Sequence, residues 1–214
     1  MLIEITSPKE LEAAWATLTM PYHSCFILSI RNQLLNKFPE SPIRVFAFPE
    51  TGLKKYWFMV KDNVHIDPRV VLATNPGEFI DETEYMECLC EFRQRAFRTV
   101  NSCRPHLVFG REHLVKTYTK LMREVASNMK NTDQNLNFFY MTEPQQKEVQ
   151  KIRVSVPGGY IISELNEKND ASTVNSHWEN AKEGDLDQTA AKIAHLPSVC
   201  VRCTETYELA GFEI

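Results

Sequence analysis

The length and composition of the chain exclude several classes of protein. It has 214 residues, of which 43% are apolar and 24% are charged, and its formal net charge is −4. This apolar share is enough to fill a core, which excludes a disordered or low-complexity chain. The mild acidity gives no basic footprint for nucleic acid or for an anionic membrane surface. We therefore expect a globular protein of one long or two short domains.

The sequence shows neither a membrane span nor a readable targeting signal. Its longest apolar run, Tyr56–Val60, is far shorter than the roughly 20 residues that a spanning helix needs. The first twenty residues contain Glu4, Glu10 and Glu12 against a single Lys9. That pattern matches neither a secretory signal, which begins with basic residues, nor an Arg-rich transit peptide.

Six cysteines raise the question of a metal or redox site. Cys200 and Cys203 form a CxxC pair, which is either half of a zinc or redox site or part of an ordinary strand. The strand is favoured, because an offset of three places the two side chains on opposite faces. No second ligand pair follows at zinc-knuckle spacing, and the six histidines show no ligand spacing. We assign no metal ligand.

Four helix starts are predicted from residues that can cap the free N–H groups of a first turn. They are Ser7, Asp81, Thr142 and Asp185, each followed three residues later by Glu or Gln. The apolar face of the first helix is predicted to consist of Leu11, Trp15 and Leu18. A second helix is predicted from Pro21 to near Phe38, and the longest covers residues 111–130.

Strands are predicted between these helices. The apolar and β-branched runs lie at residues 43–48, 55–60, 69–74, 106–109 and 136–141. Helices and strands therefore interleave, which predicts the α/β or α+β class rather than a bundle or a sandwich.

The Pro157-Gly158-Gly159 segment is the best candidate for a domain boundary, giving domains 1–156 and 157–214. The second domain is predicted to begin with a strand, 160–165, and a helix that includes Val174 and Trp178. A second helix ends at His195, and strands 198–203 and 207–214 follow. The order of elements is β-α-α-β-β.

That order resembles the opening of the GCN5-related acetyltransferase (GNAT) fold. The segments 173–178 and 195–202, with Glu208–Glu213, resemble the C-terminal domain of the glycine N-acyltransferases. The long helix 111–130 and Asn137–Met141, followed by Thr-Glu-Pro, resemble the family's N-terminal domain, which is a degenerate acyltransferase-like fold. The resemblance implies tandem GNAT-like domains, each a mixed sheet flanked by helices.

The resemblance also implies an activity, transfer of an acyl group from coenzyme A to the amine of glycine or another small amino acid. Acyl-CoA is then a co-substrate, and no tightly bound cofactor is expected. The implied partners are small molecules, without nucleic acid or membrane, and the full-length protein is expected to be a monomer. A mitochondrial location is implied by the family, and a cytoplasmic one otherwise.

The residues that match the family's acceptor side are Asn175 and Trp178, which we predict to bind substrate. The alternatives are a core position for Trp178 and a cap or local hydrogen bond for Asn175.

The family's Gly-rich coenzyme loop and catalytic Glu belong to the fourth strand and the helix after it, and residues 157–214 offer no counterpart. We therefore assign no catalytic or cofactor-binding residue. We expect a chain truncated within its second domain and inactive alone. The alternative function is a non-catalytic GNAT-like module that binds a small molecule or a protein.

Overall fold

The structure is a computed structural model that describes residues 1–61, 68–97, 106–126, 132, 134, 136–137, 139–179, 181–182 and 184–214. By its internal contacts the chain divides into unit 1, Met1–Phe138, and unit 2, Phe139–Ile214. The domain boundary near residue 157 stays a prediction.

Unit 1 alternates helices and strands. Its strands are β1 (Ile3–Ile5), β2 (Ile43–Phe48), β3 (Tyr56–Lys61), β4 (Arg69–Thr74) and β5 (Leu107–Phe109). Its helices are α1 (Pro8–Thr17), α2 (Ser24–Leu34), α3 (Glu82–Ala96) and α4 (Glu112–Val125), with a 3-10 helix at Pro21–His23. The predicted capping box opens α1, since Ser7 Oγ accepts from the Glu10 N–H at 3.2 Å and the Glu10 carboxylate accepts from Ser7 N–H.

The five strands form one mixed sheet in the order β1-β2-β3-β4-β5. The first four pair antiparallel, with Phe46 opposite Phe58 and Phe58 opposite Leu72. Strands β4 and β5 pair in parallel, a pairing that needs a crossover connection, and α3 lies in that connection.

Both faces of this sheet are covered. Side chains from β3 alternate between two apolar clusters, one formed with α3 and α4 and the other with α1 and α2. All five residues of Tyr56–Val60 are buried, as expected of a continuously apolar strand covered on both sides.

Unit 2 is smaller. Its helices are α5 (Glu143–Val149), α6 (Glu167–Ser176) and α7 (Asp185–His195), and its strands are β6 (Tyr160–Ser163), β7 (Val199–Cys203) and β8 (Leu209–Glu213). The strands form an antiparallel sheet in the order β6-β7-β8. Its core consists of Leu165, Ala171, Val174, Ile193 and Cys200.

Unit 2 repeats the opening of unit 1. The sequence β6-α6-α7-β7-β8 has the element order of β1-α1-α2-β2-β3, and in both units the first strand pairs antiparallel with the second and the second with the third. The predicted α/β class, with a mixed sheet flanked by helices, is confirmed.

The predicted strand at 136–141 is wrong for its described residues. No strand forms there, and Leu136, Phe139 and Tyr140 are 76%, 87% and 59% exposed, while Phe138 lies outside the described residues. A strand needs a neighbour for its backbone N–H and C=O groups, and an apolar run does not supply one.

Several helix limits also differ from prediction. Helix α2 ends at Leu34 instead of near Phe38, because Asn36 takes a positive φ of 49° that no helix continues through. Helix α7 is capped by Gly184 at a φ of 91°, so Asp185 is its first residue and not its cap. In α1 the buried face includes Ala14 and leaves Trp15 42% exposed. Helix α4 ends at Val125, and residues 127–130 of the predicted long helix lie outside the described residues.

Candidate functional site

An open cavity of about 750 Å³ lies in unit 2, between the end of β6, one face of α6 and the turn that joins β7 to β8. Most of its lining is polar: Ser163, Glu164, Asn166, Asn169, Asp170, Thr173, Arg202 and Glu208. Helix α6 supplies much of this polar lining. Asn166 caps the helix, and Asn169 and Asp170 lie about one helical turn from Thr173 along the same side.

A buried ion pair forms one wall of the cavity. Arg202 Nη2 lies 2.5 Å from Asp170 Oδ2, and Nη1 lies 3.1 Å from Oδ1, so the guanidinium and carboxylate meet as two parallel hydrogen bonds. The two side chains are only 12% and 6% exposed. This pair ties β7 to α6 across the polar edge of the core.

Every N–H of the Arg202 guanidinium has an acceptor. Besides the two bonds to Asp170, Nε donates to Ser163 Oγ at 3.1 Å, Nη1 to the Tyr207 carbonyl at 3.4 Å and Nη2 to the Glu164 carbonyl at 3.5 Å. A guanidinium has five donors, so Arg202 has none left for a ligand.

The pair perturbs its own titration. The hydrogen bond from Arg202 lowers the pKa of Asp170, and the bond to Asp170 raises the pKa of Arg202. Both remain charged at neutral pH. Among the described residues, neither Glu164 nor Glu208 forms an ion pair; the Glu208 carboxylate accepts a hydrogen bond from Thr206 Oγ1 at 3.2 Å.

The two predicted substrate-binding residues lie outside the cavity lining. Asn175 Oδ1 accepts from Thr189 Oγ1 at 3.1 Å, which links α6 to α7. Helix α6 ends at Ser176, so Trp178 lies beyond it. The prediction that this helix includes Trp178 is wrong. The Trp178 ring is 49% exposed, with Lys192 Nζ 4.5 Å above its centroid. The structure does not bring the two side chains together at a cavity, and their substrate role stays a prediction.

Sequence reasoning missed the Asp170–Arg202 pair. A signal was present, because Cys200 and Arg202 are two apart on one strand and so share a face. An arginine that faces a core requires a carboxylate partner, and Asp170 lies one turn before the core residue Val174.

Both cysteines of the CxxC pair lie on β7, as the strand interpretation predicts. Cys200 is buried beside Ser163 Oγ at 3.1 Å, whereas Cys203 lies at the end of β7. Backbone N–H groups of Thr206 and Glu205 lower the pKa of the Cys203 thiol. The described residues contain no group of three His, Cys, Asp or Glu side chains placed to hold a metal ion.

In unit 1, the helix that follows the fourth strand, α3, begins with N–H groups that already donate to a side chain of the protein. Helix α3 is capped by Asp81, whose carboxylate accepts from the N–H groups of Thr83 and Glu84. Glu82 and Glu84 add two carboxylates to its first turn. A helix N-terminus favours an anion only when its N–H groups and charge are free, so this one is already occupied.

Strands β4 and β5 of unit 1 also approach closely where β5 ends. A Cβ placed on Gly110 would lie 2.9 Å from the carbonyl oxygen of Leu72 on β4. The missing side chain therefore lets the two backbones close together at this point.

No protein-family model and no curated protein matches the chain. A Drosophila protein solved by X-ray crystallography matches 99% of this chain and 73% of its own, with a TM-score of 0.66 and 14% identical residues. A likeness at that identity establishes a shared fold only. A tandem GNAT protein from the clavulanic acid biosynthesis pathway matches the same shares with a TM-score of 0.41 and 11% identity, which is too low to carry an argument.

Within the described ranges, none of the helices combines the length and the apolar character that crossing a membrane requires.

Proposed function

We propose that this chain acts in acyl-CoA-dependent N-acyl transfer, in which an acyl group passes from coenzyme A to an amine. The observation that carries the proposal is the repeated β-α-α-β-β order, with the same antiparallel pairing, in unit 1 and unit 2. That order is the feature that resembles the opening of the GNAT fold, and a tandem pair is what the glycine N-acyltransferase resemblance implies. The fold shared over 99% of the chain with a Drosophila protein supports a common two-unit architecture.

The two units have different roles in this proposal. Unit 1 is a non-catalytic scaffold, since N–H groups of the first turn of α3 already donate to the Asp81 carboxylate, which would repel the pyrophosphate of coenzyme A.

Unit 2 supplies the acceptor end of the site. Its cavity is large enough for a small amine, and Asn175 and Trp178 remain candidate acceptor residues by resemblance. The attacking amine must lose a proton before it can form the amide, and a carboxylate nearby is suited to take it, directly or through water. Glycine as the acceptor and a mitochondrial location are finer predictions that rest on the resemblance alone.

The proposal is tested by following free thiol released from acetyl-CoA by the natural protein that carries these residues. We expect release that depends on both enzyme and amine, together with a mass-spectrometric amide product. Absence of amine-dependent thiol release, combined with no heat of acetyl-CoA binding in calorimetry, would contradict it and favour the non-catalytic binding module.

A further inference from the structure

We propose that the unit 2 cavity binds a cationic amine that carries no free carboxylate. This inference rests on the proposed function for its acceptor role, and it departs from the glycine acceptor that the resemblance implies. Amines such as amino-acid amides or side-chain amines are preferred over free amino acids.

The first step is that the described lining of the cavity offers no free cation to an anionic ligand. Arg202 is the one cationic side chain among the described lining residues, and its five N–H groups already donate to Asp170, Ser163 and the carbonyls of Tyr207 and Glu164. A ligand carboxylate would have to break one of these bonds and leave part of a buried pair unpaired, which is costly.

The second step is that the remaining charge is negative. Among the described lining residues, Glu164, Asp170 and Glu208 supply three carboxylates against the one guanidinium, which gives a net charge of −2. Asp170 is neutralised by Arg202, so the excess belongs to Glu164 and Glu208, neither of which has an ion-pair partner among the described residues. A positive ligand lowers this repulsion, and a negative one adds to it.

The third step concerns the start of α6, whose positive end would otherwise attract an anion. Asn166 caps it by accepting from the N–H groups of Lys168 and Asn169. The Asp170 carboxylate accepts from Asn166 N–H at 2.6 Å, and Glu167 adds a charge to the first turn. The helix end is therefore satisfied and acidic, and the neutral Asn169 and Thr173 oxygens in the lining can accept from an ammonium group.

The test compares glycinamide with glycine, two ligands of nearly equal size that share the amine and differ in one carboxylate. Each is titrated into ¹⁵N-labelled full chain without acyl-CoA, at mildly acidic pH where both amines are protonated. We expect amide shifts at Asn169, Thr173 and Glu208, and an affinity for glycinamide roughly three- to tenfold above that for glycine.

Matched variants assign the effect to the cavity. Glu164→Gln and Glu208→Gln should each weaken glycinamide binding and reduce its advantage over glycine, whereas Glu205→Gln, in the neighbouring turn and outside the lining, should change neither. Equal or tighter binding of glycine, or shifts that are absent from the lining residues, would overturn the inference.

These outcomes are separable from the proposed function. The titration contains no thioester, so glycinamide binding without thiol release would remove the acyltransferase proposal and leave the site. Thiol release with glycine preferred would do the reverse.

Discussion

Asp170 and Arg202 illustrate how single side chains determine the stability of unit 2. The carboxylate is 6% exposed and accepts from Arg202 and from the Asn166 N–H, which favours its charged form in the folded chain. Removing one partner of the pair leaves the other without its counter-charge and destabilises the unit.

A pH dependence follows for Asp170. Its pKa is lowered in the folded chain, so its contribution to the free energy of unfolding is present above its unfolded pKa of about 3.9 and is lost as the pH falls through the folded value. We expect Asp170→Asn to destabilise unit 2 at neutral pH and to remove this part of the acid dependence. Hydrogen exchange of α6 and β7 amides measures both effects, with the exposed Glu179→Gln as control; equal acid profiles for the wild type and Asp170→Asn would refute it.

Gly110 and Gly158 differ in the space available for a side chain, so the same substitution at both positions tests the close approach of β4 and β5. An added Cβ at Gly110 would meet the Leu72 carbonyl at 2.9 Å, whereas nothing lies within 4 Å of one at Gly158. We expect Gly110→Ala to lower the free energy of unfolding of unit 1 by about 1–3 kcal/mol, and Gly158→Ala to have little effect. Urea denaturation provides the comparison, and similar midpoints for the two variants would show that β4 and β5 are not held at this approach.

At the scale of elements, α6 and α7 are joined by the hydrogen bond between Thr189 and Asn175, which connects an almost fully buried hydroxyl to a partly buried amide. We expect Asn175→Ala and Thr189→Val to cost about 1 kcal/mol each, and to be non-additive in the double variant because they remove the same bond. A thermodynamic cycle by urea denaturation measures the coupling. Full additivity, with loss of acceptor binding in Asn175→Ala alone, would instead support the predicted substrate contact.

The elements also show which features a sequence can predict. The capping box at Ser7 is present as predicted, and at Thr142 the Gln145 side chain accepts from the Thr142 N–H. Both can be predicted because their bonds close within four residues. The strand predicted at 136–141 is absent from its described residues, because strand formation depends on a distant partner. Helix α7 begins at Asp185 because Gly184 caps it at a positive φ, whereas the sequence pattern placed the cap one residue later, at Asp185.

The candidate site was harder to predict than the elements for the same reason. Asp170 and Arg202 are far apart in sequence and meet only when β7 packs on α6, so no local pattern marks them. The resemblance pointed to Asn175 and Trp178, whereas the residues of α6 that line the cavity are Asn169, Asp170 and Thr173. The excess negative charge on which the proposed ligand depends cannot be predicted from the sequence, because it requires knowing that every N–H of Arg202 donates within the protein.

At the scale of the whole molecule, one element order occurs twice in the chain. Unit 1 continues the order through β4, α3, β5 and α4, with a parallel β4–β5 pair, and it fills the start of α3 with carboxylates. Unit 2 contains the polar cavity. The proposed division between a scaffold unit and an acceptor-binding unit is consistent with both sets of observations.

The most direct test is a product measurement with the natural protein, acetyl-CoA and the matched acceptors glycinamide and glycine, each quantified by mass spectrometry. The account predicts enzyme-dependent N-acetylglycinamide, formed faster than N-acetylglycine at equal acceptor concentration. An absence of amide product from either acceptor, and from a wider panel of primary amines, would contradict it.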